Sequence, residues 1–204
     1  MRLFRPPLIM HWLYPEALFR LKTKEKTLCL TFDDGPDPKS TPDLLEILDI
    51  YEIKTVFFCS GKAAGKYPEL IEMIKSKGHI IGNHGYNHLN GLKTPAGKYC
   101  DDVHFASGLT SDKIFRPPYG RLRLKQYYRL SKTFKIVLWD IMPYDFDAEY
   151  GLEKSLGKIN KMMRPGSIIV LHDKPVSASL IFLREVLDLA LSRNYRFSLP
   201  DFHL

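Results

Sequence analysis

The sequence predicts an α/β fold: an irregular, distorted (β/α)7-type barrel formed by residues 27–204, preceded by an N-terminal extension at residues 1–26. Two patterns predict it. After residue 26, short apolar segments rich in β-branched and aromatic residues alternate with segments of helical spacing, which is typical of a parallel sheet. Polar motifs also follow at least five of the predicted strands. In a barrel the carboxyl ends of all strands face one mouth, whereas in an open sheet only the strands at the switch point can share a site. The spread of the polar motifs over five strands therefore favours a barrel.

The predicted elements follow one another in regular order. A helix begins at Thr41, a capping residue followed by proline at the first helical position, and another runs from Pro68 to a stop at Gly78. Further helices are predicted at 94–108, 122–132, 149–163 and 177–192. Seven short strands are fewer than a regular eight-stranded barrel requires, so we expect an irregular one. These strands are predicted at 27–32, 55–59, 79–82, 113–115, 136–139, 167–171 and 195–198.

Composition fits a globular domain and excludes a disordered chain, since 45% of the 204 residues are hydrophobic and 26% are charged. The three cysteines, Cys29, Cys59 and Cys100, form no CxxC pair and no even framework. We therefore expect buried free thiols, which suit a reducing compartment better than secretion.

The net charge of +7 is unevenly distributed along the chain. Residues 1–26 carry six Lys and Arg against two Glu, and residues 121–135 carry six with no acid. This indicates an anionic partner or surface, with solvated basic faces as the alternative. No interleaving of basic and aromatic residues supports a nucleic-acid partner.

The N-terminal segment is too short and too often interrupted by proline to span a bilayer, and it makes a poor signal peptide. We expect a cytoplasmic protein or one peripheral to the inner membrane face. The segment either packs on the barrel or contacts an anionic membrane surface through Trp12, Tyr14 and Phe19. Packing on the barrel is favoured, because an extra apolar segment usually covers apolar surface of its own fold.

The first candidate metal ligands are His84 and His88, in the stretch GNHGYNH. Residues four apart on a helical turn project from one face, so both rings can reach one ion. Histidines at this spacing also occur without a metal. An aspartate from another strand end, Asp33 or Asp34 in TFDDGP, completes a set of two imidazoles and one carboxylate. Such a set leaves a coordination position open for water, as in catalytic zinc sites.

Two further residues follow apolar strands and face the same predicted mouth. Arg116, in FRPPYG, can meet the aspartate that the metal leaves free. His172, in IIVLHD, is a candidate proton donor, and either Asp145 or Asp140 is available to hold its ring as an imidazolium. In other proteins, an arginine before a proline-rich turn is more often a plain surface residue, and a histidine after an apolar strand is more often a core residue with its hydrogen bonds satisfied.

Together these stretches resemble the NodB-homology polysaccharide deacetylases, which are metal-dependent carbohydrate esterases. The resemblance runs in order from about residue 27 to residue 175 and combines several motifs in their expected context. The motifs are TFDDGP at 31–36, His84 with His88, RPPYG at 116–120, Asp145, and LHD at 171–173.

The resemblance implies a distorted barrel and a role for each motif residue. Asp34, His84 and His88 would bind a divalent metal, usually Zn²⁺, with Co²⁺, Mn²⁺ or Ni²⁺ as alternatives. The implied catalytic residues are Asp33 as general base, Arg116 orienting it, Tyr119 offering its backbone N–H to the oxyanion, and His172 as general acid tuned by Asp145. Substrate contacts would come from Leu171, Trp139, Phe146 and Pro118.

The chain departs from the family pattern at two positions. Gly85 stands where Ser or Thr usually follows the first histidine, which puts a loop hydrogen bond in doubt, and Phe146 stands where a tryptophan is usual. Neither change removes a metal ligand or a proton-transfer group, but both leave open how the substrate is bound.

The implied function is a hydrolase that removes N-acetyl or O-acetyl groups from an N-acetylated sugar or polysaccharide. One alternative is a deacylase or deformylase of a lipid-linked amino sugar at the inner membrane face, with peripheral contact to anionic lipid. Another, from a different class, is a catalytically silent carbohydrate-binding barrel.

Overall fold

The computed structural model describes residues 3–147, 149–175 and 179–201. Within these ranges the chain forms seven strands and eight α-helices, with two 3-10 turns at Gly91–Lys93 and Pro118–Gly120. The strands are β1 Thr27–Asp33, β2 Val56–Cys59, β3 Ile80–Asn83, β4 Ile114–Phe115, β5 Lys135–Ile136, β6 Ile168–His172 and β7 Arg196–Phe197. The helices are α1 Leu8–Leu13, α2 Thr41–Ile50, α3 Gly61–Lys66, α4 Pro68–Ser76, α5 Ala96–Ser107, α6 Leu124–Leu130, α7 Leu152–Met162 and α8 Ser179–Ser192.

The strands form one curled parallel sheet in the order β5-β4-β3-β2-β1-β6, with β7 paired to the start of β1. The register brings the carboxyl ends of neighbouring strands to one level. Asp33 lies opposite Phe58 on one side and His172 on the other, and Asn83 lies opposite Phe115. The predicted α/β barrel is confirmed, and its polar motifs converge at one end because all these strands run in the same direction.

The N-terminal segment fills the gap between β5 and β6. Leu18 forms a parallel bridge with Val137, and Arg20 forms an antiparallel bridge with Ser167. The Leu21 N–H donates to the Gly166 carbonyl at 2.8 Å. Residues 18–21 therefore belong to the barrel wall between β5 and β6, and the chain after β5 also reaches β6 directly, through a parallel bridge of Ile141 with Ile169.

Side chains alternate between the two faces of the sheet, as a period of two requires. Leu30 and Phe32 of β1 pack outward in the core that includes Leu44 of α2 and Phe182 of α8. Asp33 follows Phe32 and faces the mouth instead. The three cysteines, Cys29, Cys59 and Cys100, are buried free thiols, as the sequence predicted.

The predicted elements agree with the structure apart from their ends and two short helices. The strand predicted at 136–139 is β5 at Lys135–Ile136, and beyond it the chain pairs with Leu18, whose carbonyl accepts the Leu138 N–H. The first two residues of the helix predicted at 177–192 lie outside the described residues. Neither α1 nor α3 was predicted. No helix in the described ranges is long and apolar enough to cross a membrane.

The turn after β1 packs tightly against Asp173. The Ser40 and Thr41 hydroxyls donate to the two Asp173 carboxylate oxygens, both at 2.5 Å, and the Asp173 N–H donates to the Asp33 carbonyl at 2.9 Å. Burial raises the pKa of Asp173 to about 6, although the two hydroxyls act in the opposite direction. Asp173 thus ties β6 to the turn after β1 that carries the motif TFDDGP.

Replacing Gly35 with alanine is expected to lower the free energy of unfolding by about 1–3 kcal/mol, the usual cost of overpacking. A Cβ atom at Gly35 would lie 2.2 Å from Asp173 Oδ2. Gly157→Ala in α7 is the control, since nothing lies within 4 Å of its Cβ and a helical glycine gains about 0.5–1 kcal/mol from this change. Urea unfolding measures both. An unchanged midpoint for Gly35→Ala would contradict the close contact.

Candidate active site

The carboxyl ends of the strands surround a cavity of about 770 Å³. The residues that line it come from the segments after β1, β3, β4, β5 and β6, so the loops of most of the barrel contribute. They include Asp33, Asp34, His84, His88, Arg116, Tyr119, Trp139, Tyr144, Phe146, His172 and Lys174. Because the cavity gathers carboxylates, imidazoles and a guanidinium at one place, it is the candidate active site.

Asp34, His84 and His88 form the one group in the described residues that could hold a metal ion, with a ligand atom from each within 4.8 Å of the others. His88 Nε2 lies 2.8 Å from Asp34 Oδ1, and His84 Nε2 lies 3.6 Å from the same oxygen. Two imidazoles and one carboxylate are the donor set of many catalytic zinc sites. The residues present therefore fit a divalent ion of this class.

His84 is held in the tautomer that a metal ligand needs. Its Nδ1 lies 2.8 Å from the carbonyl oxygen of Arg116. A carbonyl only accepts hydrogen bonds, so Nδ1 carries the proton and the Nε2 lone pair faces Asp34. Burial lowers the pKa of His84 to about 4, and the imidazole is therefore neutral at physiological pH.

The two histidines do not lie on a helical turn, so that part of the sequence interpretation is wrong. They follow β3 in a loop where Gly85 and His88 have positive φ, +72° and +54°. The Asp102 carboxylate, 2.8 Å from the Tyr86 N–H, and the Asn83 side chain, 2.8 Å from the Gly85 N–H, hold the loop. These contacts fix the loop without a hydroxyl at position 85.

Asp33 is paired with Arg116, as the sequence predicted for one of the two aspartates. Arg116 Nη1 donates to Asp33 Oδ1 and to the Thr31 hydroxyl, each at 2.7 Å, and Nη2 donates to the Leu138 carbonyl at 3.1 Å. The guanidinium carbon lies 4.1 Å from the centre of the Phe58 ring. With its charge and donors matched, this buried guanidinium holds the Asp33 carboxylate in one orientation. Asp33 Oδ2, the other oxygen, lies 4.0 Å from His84 Nε2.

The partner of His172 is Asp145. Asp145 Oδ1 lies 2.8 Å from His172 Nδ1, and Oδ2 accepts the His172 backbone N–H at 2.8 Å. Burial alone would lower the pKa of His172, yet the charge and hydrogen bond of Asp145 raise it above the ordinary value. Asp140, the alternative, is instead bound by the Arg164 guanidinium at 2.5 Å and the Ser167 hydroxyl at 2.6 Å.

The structure brings Trp139 and Phe146 to the cavity but places Leu171 and Pro118 elsewhere. Leu171 is buried in the outer core, because alternation along β6 turns His172 inward and its neighbour outward. Pro118 is also buried and is not among the described residues that line the cavity. The expectation that these two residues line a substrate pocket is therefore not supported by their positions.

Lys174 and Tyr144 also line the cavity, although they were not among the residues predicted from the sequence. Lys174 Nζ lies 2.6 Å from Asp34 Oδ2, and Tyr144 accepts the Leu3 N–H at 2.6 Å through its hydroxyl. Lys174 had a readable signal, since it directly follows the motif His172-Asp173 at the end of β6. Tyr144 had a similar signal, since it directly precedes Asp145 in the polar stretch that follows β5.

Backbone strain is concentrated around the cavity. Asp34, His88, Tyr119 and Tyr144 all have positive φ, at 81°, 54°, 59° and 62°. Such a conformation costs a non-glycine residue on the order of 1–3 kcal/mol, and functional sites are where it is usually tolerated. The loops therefore hold these side chains in positions that a relaxed backbone would not give.

Comparison with known proteins agrees with this site. Residues 20–133 match the family described as polysaccharide deacetylase. Two Bacillus cereus proteins named peptidoglycan-N-acetylglucosamine deacetylase are 32% identical over 155 residues and 30% identical over 189 residues. These alignments cover 72% and 88% of this chain, and 56% and 88% of the relatives.

The fold comparison agrees as well. A crystal structure of a peptidoglycan N-acetylglucosamine deacetylase bound to an N-hydroxybenzamide ligand superposes with a TM-score of 0.83 at 28% identity, covering 94% of each chain. The family is metal-dependent, which matches the donor set around Asp34. The resemblance read from the sequence motifs is thus confirmed, and the chain belongs to the polysaccharide deacetylase family.

Proposed function

We propose that the protein is a metal-dependent hydrolase that removes the acetyl group from an N-acetylated sugar. The observation that carries this proposal is the arrangement of three groups around one cavity. The metal-ligand group, the Asp33–Arg116 pair and the His172–Asp145 pair all face it. Amide hydrolysis requires a polarised carbonyl, a base for the attacking water and an acid for the departing nitrogen, and these groups supply all three.

Asp34, His84 and His88 would hold the metal, and Zn²⁺ suits their donor set best, with Co²⁺, Mn²⁺ or Ni²⁺ as substitutes. When bound, such an ion polarises the acetyl carbonyl and lowers the pKa of a coordinated water. The hydrogen bond from His84 Nδ1 to the Arg116 carbonyl keeps the ligand nitrogen aimed at the ion.

Asp33 would take the proton of the attacking water. Its Oδ1 is occupied by Arg116, so Oδ2 is the oxygen that faces the metal group and accepts the proton. The hydrogen bond from the buried guanidinium keeps Oδ2 turned toward the metal group. The backbone N–H of Tyr119 is proposed to donate to the developing oxyanion, at a residue whose ring also contacts His88.

His172 would protonate the departing amine nitrogen. Its Nδ1 is held by Asp145, and Nε2 is the nitrogen that would deliver the proton. Trp139 and Phe146 line the same cavity, and their rings offer apolar surface to the acetyl methyl group.

Replacing Asp145 with asparagine is expected to shift the alkaline limb of the pH–rate profile to lower pH. The acid His172 must be protonated, and Asp145 raises its pKa, so removing the negative charge lowers the pH at which activity is lost. Steady-state rates between pH 5 and pH 10 measure the shift. The exposed Asp43→Asn serves as control and should leave the profile in place. An unmoved alkaline limb in Asp145→Asn would contradict the assigned role of His172.

The proposed activity is tested on chitooligosaccharides, with N-acetylated and N-formylated amino sugars alongside, by the release of free amine. Chelation should abolish release, and added Zn²⁺ or Co²⁺ should restore it. His88→Ala should lose both bound metal and activity, whereas His104→Ala, at an exposed histidine outside the cavity, should lose neither. Activity that survives chelation contradicts the proposal. Metal binding without turnover of any acylated sugar would instead favour a silent carbohydrate-binding barrel.

A further inference from the structure

The short helix α1 leaves three large apolar side chains mostly exposed, while Met10 packs against the core. Leu8 is 82% exposed, Ile9 63% and Trp12 85%, and no residue of the helix is buried. A single exposed apolar residue is ordinary, but several on one six-residue helix form a patch. Tyr14 and Phe19, the other two aromatic residues that the sequence suggested for a membrane, are buried in the core and unavailable.

The chain on either side of α1 contacts the rim of the active-site cavity. Before the helix, the Phe4 carbonyl accepts the Met142 N–H at 2.9 Å, and Met142 lines the cavity. After the helix, the Tyr14 hydroxyl donates to the Leu122 carbonyl at 2.5 Å, next to the cavity residue Arg121. The patch on α1 therefore lies beside the cavity mouth and is held there by contacts that do not involve its exposed side chains.

Two cations stand at the same mouth without an acidic partner. Lys93 and Arg121 line the cavity, are exposed, and form no ion pair with any residue that the structure describes. The basic residues at 20–26 are not part of this surface, since they lead into the start of β1 at the opposite end of the barrel. The apolar patch on α1 and the two cations, Lys93 and Arg121, thus lie at the same end of the molecule.

We propose that α1 and the cavity mouth form a docking surface for an anionic lipid bilayer. Leu8, Ile9 and Trp12 would enter the boundary between headgroups and acyl chains, where an amphipathic indole is favoured. Lys93 and Arg121 would face the lipid phosphates. Charge complementarity favours lipid over a second copy of this chain as the partner. Each copy carries a net charge of +7, so two copies that met at their cavity mouths would repel each other. The mouth would then open toward lipid-linked amino sugars.

Tryptophan fluorescence tests this surface directly, because Trp12 is exposed and Trp139, the other tryptophan, is buried. Adding phosphatidylglycerol vesicles should shift the emission to shorter wavelength and sediment the protein with the vesicles. Pure phosphatidylcholine vesicles should do so far less, and added salt should release the protein from the anionic vesicles. This readout needs neither metal nor substrate, so it is separate from the proposed activity.

Leu8→Ser combined with Ile9→Ser should weaken partitioning into the anionic vesicles by about tenfold or more, because buried methylenes supply much of such binding. Ile181→Ser on α8, equally exposed at 66%, is the matched control and should bind as the unchanged chain does. Thermal unfolding checks that all three chains are folded. Absence of a shift with anionic vesicles, or equal binding by the double variant, overturns the proposal. Self-association without lipid that the double variant abolishes would overturn it in favour of a second copy.

Discussion

Asp33→Asn is expected to lower kcat/KM for deacetylation by about 10²- to 10⁴-fold, the usual contribution of a general base. Asparagine keeps the size of the side chain and an oxygen that can accept from Arg116, but it cannot take a proton from water at neutral pH. The metal content should be retained, since Asp33 is not one of the three candidate ligands. Steady-state kinetics and metal analysis on the same preparation measure both quantities.

Two other aspartates serve as comparisons for Asp33→Asn. Asp37→Asn makes the same chemical change in the same turn, where the side chain accepts the Lys39 N–H, and it should retain nearly the full rate. Asp34→Asn should lose activity together with metal. A rate for Asp33→Asn close to that of Asp37→Asn would show that Asp33 is not the base.

Arg116→Met is expected to lower the free energy of unfolding by about 3–5 kcal/mol, because it leaves a buried carboxylate without its counter-charge. Arg116 is 1% exposed, and four described groups accept its hydrogen bonds, namely Thr31, Asp33, Val137 and Leu138. Methionine fills similar volume but supplies no donor. Denaturant unfolding measures the loss, and activity should fall as well because Asp33 would lose the hydrogen bond that orients it.

Two further variants separate charge from packing at this pair. Arg116→Lys keeps the positive charge but loses the fork that reaches Asp33 and Leu138 together, so its stability should lie between those of the unchanged chain and Arg116→Met. The double variant Asp33→Asn with Arg116→Met should lose less than the sum of the single losses. Strictly additive losses would contradict a direct pairing.

Much of the fold was predictable because its signals are local. Strand and helix periodicity placed all seven strands and the longer helices, and Thr41-Pro42 marked the start of α2. The helices that were missed are six residues long. Helix α3 contains two glycines, Gly61 and Gly65, which weaken its helical signal. Helix α1 follows Pro6 and Pro7, which we interpreted only as breaks in an apolar segment.

The site was predictable for a different reason. Side chains that follow parallel strands must meet at one end of a barrel, so Asp33, Arg116 and His172 could be placed together from strand order alone. Their exact partners could not, because the choice of Asp145 over Asp140 depends on the path of the loop between them. The orientation of Leu171 was available from strand alternation, once His172 is set facing inward.

The loop geometry was beyond the sequence. The arrangement of His84 and His88 depends on positive φ angles and on Asp102, which lies in a helix well outside the motif. Such contacts are set by tertiary packing and leave no periodic signal.

The pairing of Leu18 with Val137 and of Arg20 with Ser167 also constrains when the barrel can be completed. During synthesis residues 18–21 leave the ribosome first, yet their partners emerge more than a hundred positions later. Contacts between such distant positions form slowly, because a long stretch of chain must first be ordered between them. Until Ser167 has been translated, this early segment cannot take its place in the wall, and its apolar side chains are exposed to association with other unfinished chains.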